Sequence, residues 1–369
     1  MLIGPRAFGH HLNRLATTPF PAIGAGSYRV WDNGLTWRLL EPTDGGFTAT
    51  AMRQAIDGAR AAGMDIVYEA GQPPAWATGG VIGGSLGIAY NNLPPTNLSD
   101  WVAYLTWVDD NFACDAYGVW NEPSYGAMWG GTVEQLRALH VAMYDLLKPR
   151  GRTILTASVA DGGVPIGSGA NYLLEYLTPE IVAKTDVVSY HNYVYPLPPE
   201  QIIVSLRHVK AVLRRAGAGH LPLWNTEYGW FGDGDFADAK AAAYVARAMP
   251  ANIIGGADRS HFYGVDFDNA QITLVETGTP SVLTPAGIAH RTVANLLTGA
   301  QLYRFRQRPP LYTVDWTKAG GRGRIFWCDD DETQTVDLSG YSSGTDVLGD
   351  PITLSAAYEV GMSPVFCAR

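Results

Sequence analysis

Short apolar runs alternate through the first three hundred positions with longer segments in which apolar side chains recur every three or four residues. The runs at 7–12, 27–31, 65–70, 117–121, 153–158, 187–193, 223–228 and 260–265 have the length and the β-branched or aromatic content of buried strands. Between them the helical period appears at 50–62, 99–112, 133–147, 171–183, 199–216, 237–248 and 285–297. The segment 133–147 shows the logic. Thr132 can cap it, Glu134 and Gln135 suit its first turn, Leu136, Leu139, His140, Met143, Leu146 and Leu147 share a face, and Pro149 stops it.

Strands and helices that alternate eight times, with no strand-only stretch among them, predict a closed parallel (β/α)8 TIM barrel over 1–300 more than an open doubly wound sheet. Beyond that the texture changes. Tyr303-Arg304-Phe305, Leu311-Tyr312-Thr313-Val314, Arg324-Ile325-Phe326-Trp327 and Thr335-Val336-Asp337-Leu338 are separated by Gly, Ser and Asp turns. They predict a small antiparallel β-sandwich over 301–369, packed on the barrel.

Composition narrows the partners. The chain has 369 residues, 26 Lys+Arg against 35 Asp+Glu, a net charge of -9 and 17% charged residues. Its longest basic run is Arg214-Arg215, so it lacks the positive field that a nucleic acid requires. No apolar stretch reaches the roughly 20 residues of a membrane helix. The opening Met1-Leu2-Ile3-Gly4-Pro5-Arg6 has no basic segment followed by an apolar one, so no export signal is expected there and the compartment stays open. Cys114, Cys328 and Cys367 are too few for a disulfide framework. Cys328 and Cys367 fall in one segment, either as a bonded pair or as two core thiols.

A barrel places its chemistry on the loops after the strands' C-terminal ends. The fourth strand runs out into Val119-Trp120-Asn121-Glu122-Pro123, and the seventh into Asn225-Thr226-Glu227-Tyr228-Gly229-Trp230. Strands 4 and 7 face each other across the mouth, so Glu122 and Glu227 can approach one ligand from opposite sides. Glycosidic cleavage needs two such carboxyls, one to protonate the leaving oxygen and one to attack or to activate water. Arg29 on strand 2 either supplies the positive charge that keeps Glu227 ionised or forms a structural ion pair inside the barrel.

The motifs Asn121-Glu122-Pro123 and Thr226-Glu227-Tyr228-Gly229 resemble the signature of clan A glycoside hydrolases. Tyr28-Arg29-Val30-Trp31-Asp32, followed by Thr36-Trp37 and Glu41-Pro42, resembles family 39 and its exopolysaccharide-cleaving relatives, as does the trailing β segment. The resemblance covers roughly residues 5–300. It implies a retaining hydrolase with Glu122 as acid/base, Glu227 as nucleophile and Asn121 as hydrogen-bond donor to the sugar 2-hydroxyl. His191-Asn192-Tyr193 is similar to the clan's His-x-Tyr, which implies that His191 contacts substrate and Tyr193 orients the nucleophile. The clan's tryptophan after strand 8 is replaced here by Ser260-His261-Phe262-Tyr263-Gly264.

Aromatic residues near the strand ends form a second constellation: Trp31, Trp37, Trp76, Trp120, Trp129, Trp230 and Tyr195. Flat rings stack on pyranose faces. Trp76 and Trp230, in loops at the rim, are the expected platforms, and Trp129 is a further candidate. Platforms spread over several loops suggest several subsites, hence internal attack on a polysaccharide. The rival readings are an exo-acting glycosidase on short oligosaccharides and a non-catalytic saccharide-binding barrel.

Other chemistries lack their signals. Gly83-Gly84-Ser85-Leu86-Gly87 fits G-x-S-x-G, but no helix pattern follows it. Gly24-Ala25-Gly26 lacks the third glycine of a dinucleotide fingerprint, and no phosphate loop occurs. Neither a cofactor nor a catalytic metal is expected: His10, His11, His191, His220, His261 and Asp161 do not form an H-E-x-x-H pattern, and Asp233, Asp235 and Asp238 lack EF-hand spacing.

Overall fold

The computed structural model describes residues 2–14, 19–31, 34–84, 91–161, 168–231, 236–267 and 270–369. Nine parallel strands form the first sheet: β1 (Phe8–His10), β2 (Ser27–Val30), β3 (Asp65–Glu69), β4 (Ala116–Gly118), β5 (Thr153–Ile154), β6 (Val159–Asp161), β7 (Val188–Asn192), β8 (Leu223–Tyr228) and β9 (Arg259–Phe262). β5 and β6 are two halves of one barrel strand. Its first half pairs with β4, its second half pairs with β7, and the bridges Asn121 to Ser158 and Leu155 to Val187 join the two sides. The sheet thereby closes as an eight-stranded barrel.

Around it lie α1 (Trp37–Leu40), α2 (Thr50–Ala61), α3 (Leu98–Phe112), α4 (Val133–Leu147), α5 (Ser168–Tyr176), α6 (Pro179–Ala183), α7 (Gln201–Arg215), α8 (Asp238–Gly255) and α9 (Pro285–Leu297). α4 starts with a capping box in which Thr132 accepts from the Gln135 amide and the Gln135 side chain answers the Thr132 amide. The helix predicted over 171–183 is two, because Thr178 caps a new start and Pro179 cannot continue the old one. A hairpin of β10 (Val275–Glu276) and β11 (Thr279–Leu283), too short to show a hydrophobic period, precedes α9.

Two cores result. Between strands and helices lies a large apolar layer that includes Phe8, Tyr28, Ile66, Tyr68, Leu105, Leu139, Val188 and Leu206. Inside the barrel Val67, Ala116, Leu155, Val187 and Trp224 plug the base, with the Arg259 guanidinium 3.9 Å over the Trp224 ring. Above the plug the interior turns polar: Arg29, Glu69, Ser158, Ser189 and Thr226 are fully enclosed or nearly so.

The C-terminal unit pairs β12 (Ala300–Arg308), β13 (Leu311–Lys318), β14 (Gly321–Cys328), β16 (Ser343–Thr345) and β18 (Val365–Ala368) in one antiparallel sheet, and β15 (Gln334–Val336) with β17 (Tyr358–Val360) in another. Phe326, Cys328, Val365 and Cys367 meet Val360 and Leu338 in the core of this unit. Cys328 and Cys367 are separate buried thiols. Arg247 of α8, fully buried, ties the unit to the barrel: it donates to Glu200 at 2.6 and 2.8 Å and to Asp330 at 2.6 Å.

Candidate active site

Glu227 reaches the barrel interior through an irregularity. Trp224 and Thr226 point inward by ordinary strand alternation, so Glu227 ought to point out. Register shifts on both sides of β8 break the alternation: Tyr190 pairs with Asn225, but the next residue, His191, pairs with Glu227. The extra residue turns two consecutive side chains inward. Thr226 then bonds to Ser189, and Glu227 sits one level above, with its side chain 5% exposed.

Glu122 depends on a different device. Its φ is +48, a left-handed conformation that costs a non-glycine residue about 1 kcal/mol or more. The turn is held by the Glu122 amide, which donates to the Ser158 carbonyl at 2.8 Å, and by the Tyr125 amide, which donates to the Glu122 carbonyl at 3.0 Å. The Glu122 side chain is 14% exposed, nearer to solvent than Glu227.

His191 joins the two acids. Its Nδ1 lies 2.8 Å from Glu122 Oε1 and 3.4 Å from Glu227 Oε2, and one oxygen of each acid and a His191 nitrogen lie within 4.8 Å of one another. Burial lowers the imidazole pKa to about 3, so the ring is neutral. The tautomer with its proton on Nδ1 can donate to the carboxylate oxygens that face it.

Glu227 is held from two further sides. Arg29 donates to its Oε1, and the Tyr193 hydroxyl donates to its Oε2 at 2.6 Å. Burial raises the Glu227 pKa and the Glu122 charge adds to the rise, while His191, Arg29 and the Tyr193 hydrogen bond oppose it. Tyr193 is pushed well above the usual phenol value, chiefly by burial, and stays a donor. Arg29 has a second task, because its other terminal nitrogen donates to Glu69 Oε2 and to Asn121 Oδ1, both at 2.8 Å. Since Asn121 Oδ1 faces the guanidinium, the amide nitrogen is the end left to donate to a ligand.

Six candidates thus converge: Asn121, Glu122, His191, Tyr193, Glu227 and Arg29. The two readings of Arg29 turn out to be one arrangement, since it is a fully buried ion pair whose partner is Glu227 itself. The tryptophans differ from expectation. Trp230 is 1% exposed, its ring 5.4 Å from Tyr244 and its Nε1 donating to the Leu197 carbonyl, so it fills the wall and presents no platform. Trp129, 5% exposed, packs edge-on against Trp120 for the same reason: a large apolar ring in a short loop is driven under it. Trp76 is half-buried, anchored by a bond from Nε1 to the Glu41 carbonyl. Asp32, Ser85, Gly87, Gly232, Asp233 and Asp235 lie outside the described residues.

Glu69 went unnoticed in the sequence, although it ends the apolar run Ile66-Val67-Tyr68, the signal that singled out Glu122 and Glu227. It is fully enclosed, accepts from Ser158 at 2.7 Å and from Arg29, and leaves Oε1 without a partner. Gly118 makes room for it, since a Cβ there would lie 2.6 Å from both carboxylate oxygens.

Among the described residues, Glu122, His191 and Glu227 are the group whose spacing could hold a metal ion. The donor set does not suit one. Both oxygens of Glu227 already accept from Arg29 and Tyr193, and the buried Arg29 guanidinium beside them repels a second cation. The arrangement suits instead two acids acting on one bond.

No family model matches the sequence, and no curated protein matches it. Solved structures do match nearly the whole chain. A family 39 glycoside hydrolase from Bacteroides cellulosilyticus WH2 is 18% identical with a TM-score of 0.77, the match covering 99% of this chain and 81% of that one. A glucosidase from Croceicoccus marinus is 14% identical at a TM-score of 0.70, over 99% and 96%. A glycoside hydrolase family 30 subfamily 8 xylanase from Clostridium acetobutylicum is 14% identical at 0.67, over 98% and 96%. At such identities the likeness establishes the fold: a (β/α)8 barrel with an appended β unit.

Proposed function

We propose that this chain is a retaining glycoside hydrolase. Glu227 attacks the anomeric carbon while Glu122 protonates the departing oxygen, giving a glycosyl ester on Glu227. Glu122, now a carboxylate, takes a proton from water, and that water breaks the ester and restores both acids. The observation that carries the reading is the proximity of the two acids. Facing oxygens within 4.8 Å favour the carboxyl separation of about 5–5.5 Å that direct attack needs over the roughly 6.5–9.5 Å that leaves room for an inverting water. The division of labour follows from the partners: Glu227, fixed by Arg29 and Tyr193, suits an oriented nucleophile, and the more open Glu122 suits proton exchange with solvent. The names of the three structures described above, a glycoside hydrolase, a glucosidase and a xylanase, lend support.

The substrate reading shifts with the aromatic residues. Internal attack was inferred from tryptophans spread over the rim, yet Trp31, Trp37, Trp120, Trp129 and Trp230 are all 5% exposed or less. Trp76 and Tyr195 are the partly open members of that set. With few open rings in that set, removal of short units from a saccharide end is favoured.

The decisive experiment pairs Glu122→Ala with Glu227→Ala. On an activated aryl glycoside, which needs no acid, Glu122→Ala should keep turnover and be accelerated by azide, and Glu227→Ala should be dead. Wild-type turnover in both variants, or a product of inverted anomeric configuration, would overturn the proposal. Product sizing on a polysaccharide panel tests end attack, with a ladder of intermediate lengths as the contrary result.

A further inference from the structure

Outside the barrel, the larger sheet of the C-terminal unit gathers positive charge against the sign of the chain. Arg304 on β12, Arg322 and Arg324 on β14 and Arg369 after β18 surround a cavity of about 200 Å³, lined also by Tyr303, Tyr341 and Asp315. Asp315 is buried and pairs with Arg324 and, at 3.7 Å, with Arg304. One side-chain carboxylate therefore stands among four guanidinium groups, in a chain of net charge -9. Among the described ion pairs Arg322 and Arg369 have no acidic partner, and the Arg369 guanidinium lies 4.5 Å over the Tyr341 ring.

The sheet register explains the convergence. Arg304, Asp315 and Arg324 lie side by side on three neighbouring strands, so all three point to one face. Between Arg322 and Arg324 the backbone of Gly323 lines the cavity, and the Trp316 ring packs on the other face of the sheet there. Arg306 and Arg308 follow Arg304 at two-residue spacing on β12, an edge strand, and continue the row along the same face for roughly 14 Å. Like charges so close repel, and among the described ion pairs Arg306, Arg308 and Arg322 have no acidic partner to offset it.

We propose that this face is a second, non-catalytic saccharide site that holds an acidic polysaccharide, one whose sugars bear carboxylates or sulfates. Guanidinium forks match such groups bidentately, and Tyr303, 52% exposed, offers a flat ring to a sugar face. A lone small anion would use the cavity and leave the β12 row idle, whereas a chain of charged sugars engages both. The sugar assignment rests on the hydrolase reading of the barrel, and the charge assignment rests on the sheet alone. A polymer held here would stay concentrated near the barrel with no contact to Glu122 or Glu227.

The test is affinity electrophoresis of the full chain in gels containing polygalacturonate, dextran sulfate or neutral xylan, with a duplex DNA gel beside them. Retardation is expected in the two acidic polysaccharides and not in xylan, weakening steeply as salt rises from about 50 to 200 mM. The double variant Arg322→Gln/Arg369→Gln should raise the apparent Kd about tenfold or more, and Arg306→Gln/Arg308→Gln should weaken binding separately. Both should keep the wild-type thermal midpoint and aryl glycoside turnover. No retardation in the acidic gels, retardation that both double variants retain, or equal retention by DNA would overturn the proposal. A wild-type chain that is retarded but hydrolyses nothing would sink the catalytic reading and leave this site standing.

Discussion

Glu69 and Arg29 face each other at 2.8 Å inside the barrel, both side chains fully enclosed, and the pair sets how much positive charge reaches Glu227. Burial raises the Glu69 pKa while Arg29 and Ser158 oppose the rise. Replacing Glu69 with Gln removes a negative charge and leaves Glu227 as the charged partner of the guanidinium. The Glu227 carboxylate is then stabilised. Because activity is lost as Glu227 takes up a proton, the acid limb of kcat/KM should move to lower pH. kcat should fall about tenfold or more, as a less basic nucleophile attacks more slowly. A limb left in place, with only stability reduced, would assign Glu69 to structure.

Tyr193→Phe should move the same limb the other way. The hydroxyl donates to Glu227 Oε2 at 2.6 Å and opposes the rise in that group's pKa. Without it the carboxylate is less favoured, so the limb moves to higher pH. The loss of a hydrogen bond to a charged group, worth about 1.5–3 kcal/mol, should also slow turnover roughly tenfold or more. Opposite shifts in these two variants, read from pH–rate profiles on one aryl glycoside, would be hard to obtain from misfolding.

Acid should destabilise the fold below about pH 6.5. Burial lowers the pKa of His10 and His191 to about 3, that of His140 and His290 to about 4, and those of His11 and His261 well below the usual value. Groups depressed in the folded state contribute stability that is present above the unfolded pKa and lost as pH falls toward the folded value. Each adds up to about 1.4 kcal/mol per pH unit in that window. The thermal midpoint should drop steadily from pH 7 to pH 4.5, and a flat profile would contradict the neutral, buried state of these rings.

The barrel and the β unit should unfold together because Arg247 joins them. Arg247→Met leaves Glu200 and Asp330 without their shared cation and the Trp327 indole donating to an otherwise unbalanced Glu200. Breaking a buried pair on one side costs about 3–5 kcal/mol, or roughly 4–6 °C in a chain of this size. Calorimetry should show that loss with turnover at 25 °C retained. An unchanged midpoint would mean that the contact carries no stability.

The barrel was legible because its signal is local. Strands buried on both faces must be apolar runs, and helices with one buried stripe must repeat every three or four residues, so the alternation from Phe8 to Leu297 is the fold written out. The converging acids were legible for a related reason. Glu122 and Glu227 interrupt apolar strands at their C-terminal ends, and a core does not accept a carboxylate there without a partner. Glu69 breaks its strand in the same manner and was passed over because no neighbouring motif drew notice to it.

Trp129 and Trp230 mark the opposite case. Their loop positions looked exposed, yet whether a loop tryptophan faces a ligand or the wall depends on what packs over it, here Trp120 for one and Tyr244 for the other.

The sequence by itself determined the order of elements, the change of texture near residue 300 and which acids sit at strand ends, because each follows from the hydrophobic period of a short window. Only the tertiary structure decided that Glu227 points inward, through a slipped register on β8, that Arg29 is shared between Glu69 and Glu227, and that arginines from β12, from β14 and from the end of β18 meet on one face. Those depend on which strands become neighbours and in what register, and pairing across a barrel or a sheet is a property of distant segments that no local pattern encodes.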